Sequence, residues 1–199
     1  MEKVSRKEQI LQSLVQMLEL STGELITTAN LAKTVGVSEA ALYRHFPSKY
    51  KMFESLIEYI EESVFSRVNR IMEEELSAQM RCEKICSLVL TFCEKNPGLA
   101  RLLYGDVIVG EREQLRVRVV QFYEKIAAAF RQVFRDAELN ESLRTLRSPS
   151  NSSALLIAVL EGKICRYARS GFRAMPTDNW KEQWTVLHCG IFAPRVSAF

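Results

Sequence analysis

Apolar residues recur along this chain at steps of three and four, and no segment alternates with the period of two that a half-buried strand needs. The pattern predicts an all-α protein of about nine helices. The first starts at Ser5, where Ser5-Arg6-Lys7-Glu8 fits a capping box: the Ser oxygen and the Glu carboxylate each satisfy a free backbone N–H. Ile10, Leu11, Leu14, Val15 and Leu18 form its apolar stripe, and Gly23 ends it. Thr27 or Thr28 caps a short second helix that turns Leu31, Ala32 and Val35 inward. Gly36-Val37 makes a tight turn. Ser38 then caps a third helix through about Phe46, with Glu39 placed against the positive end of its dipole. Pro47-Ser48 breaks the chain and opens a long fourth helix. Met52, Phe53, Leu56, Ile57, Ile60, Val64, Val68 and Ile71 hold its period.

The fifth helix runs from about Arg81 to Glu94, is apolar all round in its middle, and is expected to be the central buried helix. Asn96-Pro97-Gly98 stops it. A short sixth helix covers Leu99–Tyr104 and a seventh about Glu111–Leu139. Glu141–Ser153 is polar and Ser-rich and is expected to be a flexible loop. Helix eight spans about Ser153–Ser170 and helix nine about Asp178–Leu187. From Gly190 onward no period remains, so residues 192–199 are expected to form a disordered tail.

With 47% hydrophobic and 26% charged residues over 199 positions, the chain is globular, and wholesale disorder is excluded. No apolar run approaches the ~18 residues needed to span a bilayer. Met1–Leu11 lacks the apolar core of a secretory leader, so the cytoplasm is the expected compartment. Five cysteines occur without a C-x-x-C pair. Cys82, Cys86 and Cys93 share a helix face with no His nearby, so reduced core thiols are expected and a metal site is not. There is no nucleophile–base pairing, Gly-rich phosphate loop or H-E-x-x-H, so neither catalytic residues nor a cofactor are expected. Glu161, in an otherwise apolar helix, is expected to pair with Lys163 or Arg166, and Gly162 to mark close helix approach. Trp180 and Trp184 form an aromatic face for helix eight or a dimer seam.

Net charge is only +3, but its distribution is informative. Between Ile26 and Met52, Lys33, Arg44, Lys49 and Lys51 face Glu39 alone, whereas Glu54–Glu75 holds seven glutamates against Arg67 and Arg70. A small basic patch followed by an acidic stretch suits a local contact with a polyanion. That patch coincides with two short helices joined by a Gly turn, with Ala29, Leu31, Ala32, Val35, Val37 and Leu42 expected to form the small apolar contact between them, which is helix-turn-helix geometry. Thr27 or Thr28, at a helix N-terminus, can hold a phosphate through hydroxyl and backbone N–H. Ser38, Ala40, Ala41 and Arg44 are expected to face outward, and the small residues would let the third helix enter a major groove. Tyr43, His45 and Lys49, with Lys33 adding charge, are placed for backbone phosphates. A packed His45 is an equally open reading.

Thr28-x-x-Leu31-Ala-x-x-x-Gly36-Val37-Ser38-x-x-x-Leu42-Tyr43-x-His45-Phe46 resembles the DNA-binding domain of the TetR family. The stretch from Ile26 to Ser63, with Glu94–Leu103 after it, is similar to that family's nucleoid-occlusion members. The resemblance covers about residues 1–170. It implies a three-helix DNA-binding head (1–50) on a helical dimerisation and partner-binding body (51–191). It also implies a homodimer on a pseudo-palindromic duplex, localisation on the nucleoid, and antagonism of the tubulin-like division protein FtsZ through its C-terminal tail. The tail is acidic and apolar, so its receptor needs a basic, partly apolar groove; Arg67, Arg70, Leu88, Lys95 and Asn96 could line one between helices four and five. The resemblance itself points to Tyr59, Arg67, Leu88, Lys95 and Asn96. Two rivals stay open: a ligand-regulated repressor of the same fold, and a helical enzyme or scaffold with no DNA role.

Overall fold

The computed structural model describes residues 5–20, 26–75 and 77–193. Among these residues it has nine α-helices: α1 (Arg6–Leu20), α2 (Thr28–Val35), α3 (Glu39–His45), α4 (Lys49–Glu74), α5 (Ala78–Lys95), α6 (Pro97–Tyr104), α7 (Glu113–Asn140), α8 (Pro149–Arg169) and α9 (Trp180–Ile191). A 3-10 turn, Asp106–Ile108, separates α6 from α7. One isolated bridge, Thr145 to Phe192, is the only extended pairing among the described residues.

The caps explain where the helices begin. The Ser5 N–H donates to Glu8 at 2.7 Å and the Glu8 N–H to Ser5 Oγ at 3.2 Å, a complete capping box. Thr27, Ser38, Ser48, Ser77 and Ser148 each accept a first-turn N–H at α2, α3, α4, α5 and α8. Gly36, at φ 75°, closes α2 in the left-handed region that favours glycine.

Helices α4, α5, α7 and α8 enclose the main core, and α5 is buried through Cys82, Ile85, Cys86, Val89, Leu90, Phe92 and Cys93. Burial pushes the three thiols well above their ordinary pKa, which keeps them protonated and inert. Helix α6 lies across the foot of this core and carries α1. At Gly98 a Cβ would sit 2.3 Å from the Val15 carbonyl oxygen, so only glycine allows the contact. Beside it the buried Arg101 donates to Leu18 O at 2.8 Å and holds Asp106 at 2.8 Å. On the other flank Glu61 of α4 is clamped by Arg118 and Lys125 of α7. Burial pushes the Glu61 carboxyl up, but the hydrogen bonds from Lys125 and Arg118 outweigh it and hold the group below the usual carboxylate range.

Several sequence expectations are corrected. Helix α5 starts at Ala78 and α7 at Glu113, and α8 starts at Pro149, so the end of the expected loop Glu141–Ser153, residues 149–153, is helix while 141–148 is not. Pro at the first helical position, behind the Ser148 cap, sets that start. The expected loss of order from Gly190 does not hold for 190–193: α9 runs to Ile191, and Phe192 is buried edge-on against Phe134 at 5.7 Å. Residues 194–199 and the Gly23 stop lie outside the described residues. Trp180 and Trp184 are buried within the chain, with Trp180 Nε1 donating to Ser87 Oγ of α5 at 2.8 Å, so their rings pack inside it. Glu161 has no ion pair with Lys163 or Arg166; Lys163 donates to the Asp178 carbonyl instead. Gly162 has nothing within 4 Å of its Cβ position, so it marks no close approach inside this chain. Cys189 is exposed rather than a core thiol.

Candidate functional site

Two surfaces collect the candidate residues. The first is the helix-turn-helix. Leu31, Ala32 and Leu42 are buried beneath it, while Ala29, expected in this contact, is exposed. Thr27 is exposed, and its hydroxyl accepts the Asn30 N–H at 3.2 Å. Thr28 is used differently. Its hydroxyl donates to the Glu39 carboxylate at 3.0 Å and accepts from the Tyr43 hydroxyl at 3.3 Å, tying α2 to α3. That triangle fixes the angle between the two helices, which sets how α3 is presented.

The Ser38 cap and Ala40 and Arg44 of α3 are exposed, Ala41 is half-buried, and no ion pair engages Arg44 among the described residues. The outer face of α3 is therefore small at its front, with one free cation a turn further on. Tyr43 is 43% exposed, and His45 is half-buried. Lys33 is exposed on α2 and borders a shallow hollow with Gln16, Met17, Leu20, Asn30 and Thr34. Lys49 departs from expectation. Its ammonium lies 2.6 Å from the Glu111 carboxylate and 5.5 Å from the centre of the Phe53 ring, so it is engaged inside the molecule.

The second surface is on the body. Tyr59, Ser63 and Arg67 of α4 face Ser87, Leu88, Thr91, Phe92, Lys95 and Asn96 of α5 across a groove of about 560 Å³. All five residues implied by the family resemblance line it. Tyr59 is 53% exposed, Arg67 and Lys95 are exposed, and neither cation has an ion pair among the described residues. The Asn96 amide donates to the Phe92 carbonyl at 2.8 Å, which orients the α5 end of the groove. Arg70, also expected here, is absent from the lining; it pairs with Glu74 at 2.7 Å. Sequence reasoning missed Ser63, Ser87, Thr91 and Phe92, small or apolar residues that carry no charge signal.

A third cavity, of about 840 Å³, opens between α6, the 3-10 turn, α7 and α8. Leu103, Ile108, Val119, Tyr123 and Ile157 form its apolar wall, and Glu111, Glu113, Glu124 and Glu161 its acidic rim. Burial pushes the Glu161 carboxyl above the usual range.

Comparison with known proteins agrees with this architecture. Residues 24–56 match the model of bacterial regulatory proteins of the tetR family, and residues 76–191 match an SlmA-like tetracyclin repressor-like C-terminal domain. "Nucleoid occlusion factor SlmA" of Marinomonas sp. (strain MWYL1) is 56% identical over 185 residues, covering 93% of this chain and 94% of that protein. The protein of the same name from Aliivibrio fischeri (strain MJ11) is 50% identical over 190 residues, covering 95% and 97%. Among solved structures, the MbdR regulator from Azoarcus sp. CIB superposes with a TM-score of 0.77 at 17% identity, covering 94% of this chain and 98% of that one. FadR from Bacillus subtilis, solved with stearoyl-CoA, gives 0.72 at 14% identity, covering 92% and 98%. At such identities the likeness speaks for the fold alone. With half or more of its residues shared with curated relatives along nearly its whole length, the chain belongs to the SlmA family of nucleoid occlusion factors, within the TetR-type helical regulators.

Proposed function

We propose that this chain is a DNA-bound inhibitor of cell division: it binds specific chromosomal sites as a homodimer and, from there, antagonises FtsZ assembly over the nucleoid in the cytoplasm. The observation that carries the reading is the groove between α4 and α5. Five residues scattered over 38 positions, Tyr59, Arg67, Leu88, Lys95 and Asn96, come together there, with two exposed cations beside apolar surface. That chemistry fits a short acidic, apolar peptide such as the FtsZ tail.

The head, residues 1–50, docks the duplex. Arg44, Ala40 and Ala41 read base edges from α3, while Thr27 holds a phosphate at the start of α2. Lys33, Ser38, Tyr43 and His45 add backbone contacts around them, and Thr28 contributes by holding α3 in place through Glu39 and Tyr43. Lys49 reaches a phosphate once its partner lets go.

The body, residues 51–191, dimerises through the outer face of α8 and α9. Leu155 (44% exposed), Ala154, Ala158 and Gly162 leave α8 apolar and shallow, and Val186 (75% exposed) stands out from α9. Two such bodies would present recognition helices ~34–36 Å apart, hence a pseudo-palindromic site. Co-sedimentation with FtsZ polymers, with and without genome-selected duplexes, tests the function. DNA-dependent loss of pelleted FtsZ is expected, and unchanged polymer in the presence of bound DNA would defeat it.

A second reading, a ligand-regulated repressor, draws on the cavity of about 840 Å³. It requires a small molecule that enters this cavity and releases DNA, and a thermal-shift screen read alongside DNA anisotropy decides it.

A further inference from the structure

Lys49 is the first residue of α4, directly after the helix-turn-helix, and its side chain is only 22% exposed. The residue that covers it, Glu111, is itself 21% exposed and lies 2.6 Å away. Glu111 belongs to the connection from α6 to α7, which begins and ends its turn at Gly105 (φ 91°) and Gly110 (φ 84°). The next residue, Arg112, places its guanidinium 5.4 Å from the centre of the Tyr50 ring. Two consecutive residues of this connection therefore engage the first two residues of α4. A carboxylate from the body occupies the ammonium that the head would offer to a DNA phosphate.

We propose that Glu111 sets the DNA affinity of the protein by competing with a backbone phosphate for Lys49. This rests on the reading of Lys49 as a phosphate contact. The Lys49 ammonium is walled on one side by the Phe53 ring and on another by Glu111, so a phosphate reaching it must come close to the Glu111 carboxylate. Two anions side by side repel, and one leaves. DNA binding then exchanges an internal ion pair for an intermolecular one, and the net gain from Lys49 is smaller than a free lysine would supply. The freed Glu111 also loosens the connection that walls the α6–α7–α8 cavity, since Gly105, Ile108, Val109, Gly110 and Glu111 all line it. The affinity cost is thus built into the body rather than into the reading head.

The test is fluorescence anisotropy of a labelled duplex across a salt series, with the full chain as wild type, Lys49→Ala, Glu111→Gln and the double variant. Glu111→Gln is expected to bind about two- to fivefold more tightly, the range for releasing one partly exposed ion pair. Its salt slope should stay close to that of wild type, because Lys49 neutralises the same phosphate in both. In the Lys49→Ala background the gain should vanish. If Glu111→Gln binds no better than wild type, Glu111 is no competitor. If it binds better but does so equally in the Lys49→Ala background, removal of a negative charge acts at long range and the exchange is wrong. If Lys49→Ala itself binds normally, the phosphate role of Lys49 falls, whatever Glu111 does. Lys49→Ala weak with Glu111→Gln unchanged leaves that role standing and overturns only the competition.

Discussion

The head and the body groove do comparable work, presenting a few polar side chains to a charged partner, yet they are built on opposite principles. In the head, every working residue lies within the 23 positions from Thr27 to Lys49, and the geometry is set by neighbours in sequence: two caps, one glycine turn and the Thr28–Glu39–Tyr43 triangle. In the body groove, Tyr59 and Arg67 belong to α4 and Leu88, Lys95 and Asn96 to α5, so the surface exists only because two long helices pack side by side. Apart from the Lys49–Glu111 contact, a local site of this kind tolerates change elsewhere in the molecule. A site made by packing inherits every weakness of the core beneath it.

The harshest way to erase this contrast is to damage the joint that both regions share. Gly98→Ala forces a Cβ against the Val15 backbone at 2.3 Å, where no side chain can move aside. A loss of about 1–3 kcal/mol of stability is expected from overpacking. Because α6 carries α1 on one side and the body core on the other, DNA and tail binding should both weaken at elevated temperature. Calorimetric unfolding that matches wild type would show that α1 and α6 part easily.

A milder change should affect the head alone. Thr27→Ala removes the cap of α2, worth about 1 kcal/mol, together with a phosphate contact. Binding should weaken across all duplex sequences while tail binding stays intact, measured by anisotropy on specific and scrambled duplexes. Selective loss on the specific duplex only would mean that Thr27 reads sequence rather than backbone.

The smallest effect is expected at Glu161, which lies in neither surface. Its pKa is raised in the folded chain by burial, so its contribution to stability is fully present below the ordinary carboxylate pKa and is lost as pH rises through the raised value. Glu161→Gln should therefore melt slightly higher than wild type near about pH 7, with the gap closing toward about pH 4. Both binding activities should be unchanged. A gap that widens on acidification would show that Glu161 is stabilised as the anion.

How much was legible in the sequence follows from the same contrast. The head's caps, turn and buried Leu42 depend on short-range rules, and Ser38, Ala40 and Arg44 fall where those rules put them. Ala29 failed because one residue of an eight-residue helix can turn outward without breaking the period. In the body, periodicity located the helices but not their partners. Arg70 is one turn beyond Arg67 and just as basic, yet it points to Glu74 instead of the groove. Trp180 and Trp184 are both buried within the chain, Trp180 donating to Ser87 of α5 and Trp184 packing beside Trp180, and no periodicity names that partner. The start of α8 was hidden by a polar run, Ser148-Pro149-Ser150-Asn151, whose serine is a cap and whose proline suits a first turn. Lys49 ends the head's run of basic residues, but its partner lies 62 residues away and no local signal names it.

The central claim is that one chain carries two separable surfaces, and Arg67→Asp tests it most directly. Duplex affinity by anisotropy and FtsZ-tail affinity by calorimetry are measured on the same preparation. The account predicts tail binding weakened about tenfold or more, from lost attraction plus new repulsion in the groove, with duplex affinity within about twofold of wild type. Wild-type tail binding by Arg67→Asp, or a parallel collapse of DNA binding in a variant that melts normally, would contradict it.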